Sequence, residues 1–437
     1  MRINGVLIIA VLSTAVTFSS LTHCANPSAG TATETENASA DMNFIKSDIP
    51  RNLLPRVTSP QIDSLVKSNT RFAFDLYHHL RSSRNNLFFS PFSISEAIAM
   101  VYGGSKNETA DQIANTLRFT MPDSTIHAGF DSLALSLEYL ANETGAYTIN
   151  NANSIWMQES LTVQSSYLDL LSAYYNTGVY TVDFARAYDS CTVAINTWMS
   201  ENTAGRITDL IPQTSPSGSL TRLVLVNALY FTSMWNDTFS IENTRDSTFT
   251  NLDSTTSIIP FMHASGRENG YFETDHYQAV ELLLADWRTS MVVVLPKPDY
   301  FIPFENEFTA DSLTHLFSVV HKLTRMTLTV PKFSFSSETY QLNSILSDLG
   351  MVDAFQPQAA DFSGIAGQRD LYLARVDHQG FINVSEWGIE AAAATPATLV
   401  STGIHPEETI SIDRPFFFFI RDRRTDTILF MGRITKL

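Results

Sequence analysis

Three features of this sequence predict an α+β fold in a single large domain. Helix-period patterns crowd the stretch from Gln61 to Ala204, strand-like runs recur from Thr221 to Ile434 with helices among them, and after residue 60 there is no repeat or internal linker. Length does not decide the matter, because 437 residues with 44% hydrophobic content can bury one large core or two or three ordinary ones. The uninterrupted order of elements favours one.

Met1–Ala25 has Arg2 near its start, an apolar core over Gly5–Val16 and small polar residues after it, the layout of a secretory signal. The apolar core is too short to span a bilayer, so a protein secreted or held at the outer cell surface is expected. Leu21-Thr22-His23-Cys24 is similar to a bacterial lipoprotein box but has His23 where a small residue belongs, so a lipid anchor at Cys24 and simple removal both stay open. Residues 26–60 are polar and proline-punctuated and read as a low-complexity linker, with the domain following over 61–437. Cys191 is then the one cysteine of the mature body, which leaves no intrachain disulfide. It opens a helical pattern with Ala194, Ile195 and Trp198 and reads as a packed, unreactive thiol.

The domain opens with a helix pattern from Gln61, carried by Ile62, Leu65, Val66, Phe72, Phe74, Leu76 and Leu80. In the next segment Ser93 and Glu96 have capping-box spacing, Ile94, Ala97, Ile98 and Val101 share one helical face, and Gly103 suits a left-handed cap. Thr109 and Gln112 repeat the capping pattern, and Asp131–Leu140 is a helix candidate whose only charges are Asp131 and Glu138. Asn150–Trp156 and Leu161–Val163 look like short strands, Tyr167–Tyr174 a helix, and Cys191–Ala204 a helix ended by Gly205. Thr221–Phe231 is apolar enough for a central strand, and Ser290–Leu295 and Met326–Val330 are further strands. Leu371–Val384 alternates like a strand, and Pro415–Ile420 with Ile428–Ile434 reads as a hairpin around a polar turn.

A formal net charge of −17 disfavours nucleic acid as a partner, since phosphate recognition rewards clustered Lys and Arg. No nucleophile elbow, zinc-binding helix, dinucleotide fingerprint or phosphate loop occurs. The histidines are scattered, and adjacent His78 and His79 face different sides of a helix, so no metal and no cofactor is expected. Sequons at Asn37, Asn107, Asn142, Asn236 and Asn383 matter only in a glycosylating host.

Asn383–Pro406 fits its surroundings worst. Between a strand-like segment and an aromatic strand lie small and hydroxylated residues, with four consecutive alanines bracketed by Gly388 and Pro396 and no charge between Glu390 and His405. Long segments without structure of their own are uncommon in compact domains and usually functional.

Five segments together resemble the serpins: Asn86–Gly104, Ile195–Pro212, Leu225–Trp235, Val376–Thr395 and Asp413–Gly432. The resemblance extends from about residue 60 to Leu437. It implies a serpin fold with a large central β-sheet, additional sheets, a helix bundle and an exposed reactive-centre loop at the stretch just described. It also implies an inhibitor rather than an enzyme: a target serine protease attacks the loop, and the cleaved loop inserts into the central sheet with the protease still attached in a covalent acyl complex. A monomer is expected. Glu386, Gly388, Ile389 and Glu390 resemble the loop hinge, and Ala391, Ala392, Ala393 and Ala394 would enter a packed sheet without the roughly 1–3 kcal/mol cost of bulkier residues. Ile389 is larger than the small hydroxyl residue usual there but suits a strand, whereas Pro396 removes one ladder donor. By the same resemblance, Ser90, Ser93, Asn227 and His378 match the cluster that governs sheet opening, and Trp235 and Lys332 the region where the loop enters, with Lys332 pairing Glu386.

Family spacing from Glu386 places the scissile bond at Thr402-Gly403, while counting back from Arg414-Pro415 pushes it towards Ile404. In either case no Lys or Arg occurs from Trp387 to Asp413, so trypsin-like proteases are poor targets. Thr402, Val400 or Ile404 suits elastase-like or subtilisin-like enzymes, and Leu399 keeps a chymotrypsin-like target open. Heparin-responsive members carry basic residues where Asp131–Leu140 has none, so no heparin activation is expected. The alternative is a non-inhibitory serpin acting as a binding or carrier protein, motivated by Pro396 and Ile389.

Overall fold

The computed structural model describes residues 42–81, 84–213, 218–390 and 407–437. The signal segment with Cys24 lies outside the described residues, as do Ala391–Ala394, Pro396, Thr402 and Gly403.

The first half of the chain carries β1 (Asn43–Ile45), α1 (Ser59–Leu80), β2 (Leu87–Phe89), α2 (Pro91–Tyr102), α3 (Asn107–Thr116) and α4 (Asp123–Thr144). It continues through β3 (Tyr147–Gln158), α5 (Ser165–Tyr175), β4 (Val179–Val182), α6 (Phe184–Asn202) and β5 (Leu223–Met234). Next come β6 (Arg245–Thr250), β7 (Thr256–Glu273), β8 (Tyr277–Leu283), β9 (Thr289–Pro296), α7 (Phe301–Glu307), α8 (Ala310–Val319) and β10 (Leu323–Pro331). The rest comprises β11 (Phe333–Ser336), β12 (Tyr340–Gln341), α9 (Asn343–Asp348), α10 (Ser363–Ala366), β13 (Leu373–His378), β14 (Phe381–Ser385), β15 (Gly388–Ile389), β16 (Glu408–Ser411), β17 (Phe416–Asp422) and β18 (Thr427–Ile434).

These strands form two large mixed sheets, which with the helices make the α+β architecture. The first has the order β1-β4-β3-β5-β15-β14-β11, with β13 joining β5 to β12. The second has the order β16-β10-β7-β8-β9-β17-β18-β2, with β6 on β7. Helix α2 packs against β3 and β5 of the first sheet and β18 of the second, and is buried on nearly every side, with Ile94, Ala97, Ile98, Met100 and Val101 in apolar contact and Ser93, Ser95 and Glu96 hydrogen-bonded to Asn153, Asn69 and Asn151.

Local differences from the sequence reading have identifiable causes. Ser90 caps α2 by accepting a hydrogen bond from the Ser93 N–H at 3.1 Å, because Pro91 already occupies the first turn. Ser93 and Glu96 are therefore inside the helix, and no box forms between them. Gly103 is right-handed at φ −59°, whereas Gly205 takes φ +74°. Thr109 and Gln112 likewise lie within α3, where their side chains bond to Asp361 and to the backbone of Val352 and Asp353. Leu161–Val163 is not a strand, β3 is longer than Asn150–Trp156, and Gln379-Gly380 splits the Leu371–Val384 alternation into β13 and β14.

The largest difference concerns residues 42–60, the described part of the stretch 26–60 read as a linker. Asn43–Ile45 pairs antiparallel with β4, Asn52 N–H donates to Ala173 O at 2.8 Å, and Arg51 bonds Asp131 at 2.7 Å and Glu138 at 2.6 Å. Gly178 permits this approach, since a Cβ there would lie 2.1 Å from Ile45 O. Backbone pairing, not side-chain periodicity, holds the segment, so no hydrophobic pattern announced it. The two acids of α4 thus face a cation supplied from outside the helix.

The second sheet contains a buried ion pair in which Arg421 Nη2 lies 2.7 Å from Glu281 Oε1, at 3% and 1% side-chain exposure. Removing one partner of such a pair strands the other in a dry site. Glu281→Ala is expected to cost about 3 kcal/mol, the low end of that range because Asp426 still faces Arg421 at 2.8 Å. Denaturant unfolding tests this, and a loss below about 1 kcal/mol, the usual worth of an exposed pair, contradicts it.

Candidate functional site

The candidate site is a seam in the first sheet, built on β5. Its residues Leu223–Phe231 are apolar apart from Asn227 and Tyr230, as suits a strand covered on both faces. On one side β5 pairs with β3 along most of its length, from Leu223↔Met157 to Ser233↔Tyr147. On the other it pairs in parallel with β13 only as far as Asn227↔His378, and then with β15 at Ser233↔Ile389 and Met234↔Gly388. Among the described residues, Ala228–Thr232 between these points have ladder partners on β3 alone.

β15 is a two-residue wedge, since its far side pairs with β14 at Val384↔Ile389 and Ser385↔Gly388. Gly388 makes the fit possible. It has φ +151°, and a Cβ there would lie 2.1 Å from Ser233 O. Ile389 is 2% exposed and belongs to the apolar cluster containing Phe231 and Val384. Glu390 then turns the chain with φ +54°, its N–H donating to Asn383 O at 2.9 Å and its carboxylate meeting Arg206 Nε at 3.0 Å. Burial pushes the Glu390 carboxyl above the ordinary carboxylate range against the pull of Arg206.

At the head of the seam, Trp235 Nε1 donates to Ser385 O at 2.9 Å and Trp235 N–H to Trp387 O at 2.9 Å. Glu386 accepts from Lys332 Nζ at 2.8 Å and from Thr244 Oγ1 at 2.7 Å. Burial alone would raise the Glu386 carboxyl, but these two donors outweigh it and hold it below its usual value.

Below the seam lies a buried polar cluster. Ser90 N–H donates to His378 Nε2 at 3.1 Å, so the proton of the neutral ring sits on Nδ1, which donates to Asn227 Oδ1 at 2.6 Å. Burial lowers the His378 imidazole to about 3, keeping it uncharged near neutrality. Asn227 Nδ2 donates to Ser93 Oγ and to Asn153 Oδ1 of β3. Asn153 Nδ2 in turn reaches Glu96 Oε2 at 3.0 Å, and Asn151 Nδ2 donates to the same oxygen. The bonds joining β13, β5, β3 and α2 thus run through side chains as well as the ladder.

The structure therefore gathers Ser90, Ser93, Asn227 and His378 into one cluster, Trp235, Lys332 and Glu386 at the head, and Gly388, Ile389 and Glu390 in the wedge. Ala391–Ala394 and the Thr402-Gly403 bond lie outside the described residues. Sequence reading missed Glu96, Asn151, Asn153, Arg206 and Thr244. A signal existed for the asparagines, because Asn151 and Asn153 fall two apart on a strand face otherwise made of Tyr147, Ile149, Ile155 and Met157. Arg206 and Thr244 gave none, being polar residues in loop stretches that are already rich in polar residues.

Comparison with known proteins gives the family. The family pattern described as Serpin (serine protease inhibitor) matches residues 67–437. An uncharacterized serpin-like protein of Thermococcus kodakarensis is 37% identical over 391 residues, covering 89% of each chain. Leukocyte elastase inhibitor A of Mus musculus is 34% identical over 387 residues, covering 85% of this chain and 99% of the relative. The native-state crystal structure of the thermophilic serpin tengpin superposes with a TM-score of 0.77 at 25% identity, covering 90% of this chain and 98% of that one. The chain belongs to the serpin family, whose members are mostly inhibitors of serine proteases rather than enzymes.

A Cβ at residue 388 has nowhere to go while β15 is seated. Gly388→Val is expected to unseat the wedge, raising deuterium uptake at the Ile389 and Ser233 amides while the β17–β18 pairing keeps its protection. Unchanged uptake at both amides contradicts the steric account.

Proposed function

We propose that this protein is an exported inhibitor of serine endopeptidases that acts by suicide-substrate loop insertion, with elastase-like or subtilisin-like enzymes as targets. The observation that carries the reading is the wedge. Gly388 and Ile389 already occupy the seam between β5 and β14, shortly before segment 391–406, and among the described residues Ala228–Thr232 have no ladder partner on that side. Strand addition to a sheet is a known mode of recognition, and serpin loop insertion is one of its established instances.

The chemistry follows from the loop sequence. A protease serine oxygen bonds to the carbonyl carbon of Thr402, the Thr402–Gly403 bond breaks, and the Gly403 amine leaves with the proton passed on by the protease histidine. Residues up to Thr402 are then free to follow Ile389 into the seam. Strand alternation puts Ala391, Ala393, Thr395 and Ala397 on the face already occupied by Ile389, so that face receives small residues before Leu399. Glu390 must become extended on the way and give up Arg206. The absence of Lys and Arg from Trp387 to Asp413 points away from trypsin-like enzymes. Export, by secretion or through a lipid anchor at Cys24, is supported by the Met1–Ala25 pattern.

Incubation with pancreatic elastase and with subtilisin, followed by a denaturing gel, tests the reading. A protease-linked band that survives denaturant is expected, and Thr402→Arg is expected to create such a band with trypsin where the natural sequence gives none. Cleavage of the loop without any linked band contradicts inhibition and leaves the binding-protein alternative.

A further inference from the structure

The polar cluster beneath the seam contains a carboxyl that sheet opening does not obviously require. Glu96 lies on α2, is 3% exposed, and accepts hydrogen bonds from Asn151 and Asn153 through one oxygen. Asn153 stands directly opposite Asn227 across the β3–β5 ladder, and its side chain also bonds that of Asn227. Asn227 in turn is the last β5 residue paired with β13, through His378. A continuous hydrogen-bonded chain therefore runs from Glu96 to the point where the seam begins.

We propose that Glu96 is a positioning residue for sheet opening: through Asn151 and Asn153 it ties the β3–β5 pair to α2, and β5 leaves β13 only when those bonds are broken or exchanged. This inference rests on the reading of the seam as the site of strand insertion. β3 and β5 are paired over eleven positions from Tyr147 to Met157, so they move together when an extra strand enters. Helix α2 packs on β18 as well as on β5 and β3, and the Ser90 hydroxyl at its N-terminus donates to Leu429 O of β18 at 2.6 Å, so with α2 held to β18 the bonds from Glu96 to β3 span the sliding surface.

The tie depends on the carboxyl proton. Burial pushes the Glu96 carboxyl up to about 8, opposed by the Asn151 hydrogen bond and by Arg51 and reinforced by Glu138 and Asp131. The ionisable groups facing it are Asp131 and Glu138 of α4, Arg51 before α1, Tyr175 of α5 and, through Asn227, His378 of β13. Burial raises Asp131 to about 6, Tyr175 is held well above its usual range, and His378 is lowered to about 3. A cavity of about 310 Å³ lined by Glu96, Arg51, Glu138, Asn150, Tyr175 and Trp198 brings water close to the carboxyl once β3 shifts.

The sign is fixed by linkage. A carboxyl raised in the closed sheet and returned towards its ordinary value in the open one releases its proton on opening. Closure is therefore strongest below the ordinary carboxylate range and weakens as pH rises towards about 8, above which it changes no further. The opening constant can rise by at most about tenfold per pH unit in that window.

Hydrogen exchange of Leu225–Asn227 and Val376–His378 amides, corrected for intrinsic rates and measured from pH 5 to 9, tests the proposal in the full chain. In the natural protein, seam opening is expected to increase with pH and level off above about 8. Glu96→Gln, which keeps an acceptor for both asparagines without titrating, is expected to hold the low-pH level throughout, and Glu96→Ala to be fast at every pH. A Gln variant that follows the natural pH profile, or an Ala variant with unaltered seam exchange, overturns the proposal. Complex formation with elastase and subtilisin, assayed on the same samples, separates the two readings. The expected exchange profile without a protease complex contradicts inhibition alone, and a complex with a pH-independent seam contradicts the role of Glu96 alone.

Discussion

The structure depends on a strand pairing that the described residues leave open. β5 has a ladder on the β3 side from Leu223 to Ser233, but on the other it is paired up to Asn227 and again from Ser233 and nowhere between among the described residues. Backbone donors and acceptors in a protein interior are almost always paired, so a sheet with partners outstanding has a better arrangement available to it. In the proposed insertion, segment 391–406, poor in charge and bulk at its start, supplies that arrangement. Around the seam stand the Lys332–Glu386 pair at the head, the Arg206–Glu390 pair where the wedge ends, and the asparagine and histidine bonds below. In the proposed insertion each of these contacts is exchanged as the strand advances.

Much of this fold was legible because its elements follow simple periods. Thr221–Phe231 read as a central strand because an apolar run of that length must be covered on both faces, and β5 is such a strand. The aromatic pair β17 and β18 was equally plain. What escaped was held by backbone or by single polar bonds. β1 pairs through its main chain, with Gly178 giving it room, and the capping box at Ser93 and Glu96 failed because Pro91 had already fixed the helix start one turn earlier.

The site was legible to a different degree. Ser90, Ser93, Asn227 and His378 came from resemblance to the family, and the structure adds the reason they sit together: all are buried, and each supplies a partner that another lacks. Gly388 could be read as a flexible hinge, but its part in the described structure is steric, as the residue that lets two backbones approach. Glu96 was misread because a buried carboxyl at a helix start has the same spacing as an exposed one at a cap. Only the neighbouring strand, with Asn151 and Asn153 aimed at it, separates the two.

The central claim is that the loop completes β5. A crystal structure of the protein after its loop has been cut within Leu399–Ile404 tests this most directly. The account predicts a new strand continuing from Ile389 between β5 and β13, with Asn227 and His378 no longer ladder partners. A cleaved structure in which Asn227 still pairs with His378 and β15 ends at Ile389 would contradict it.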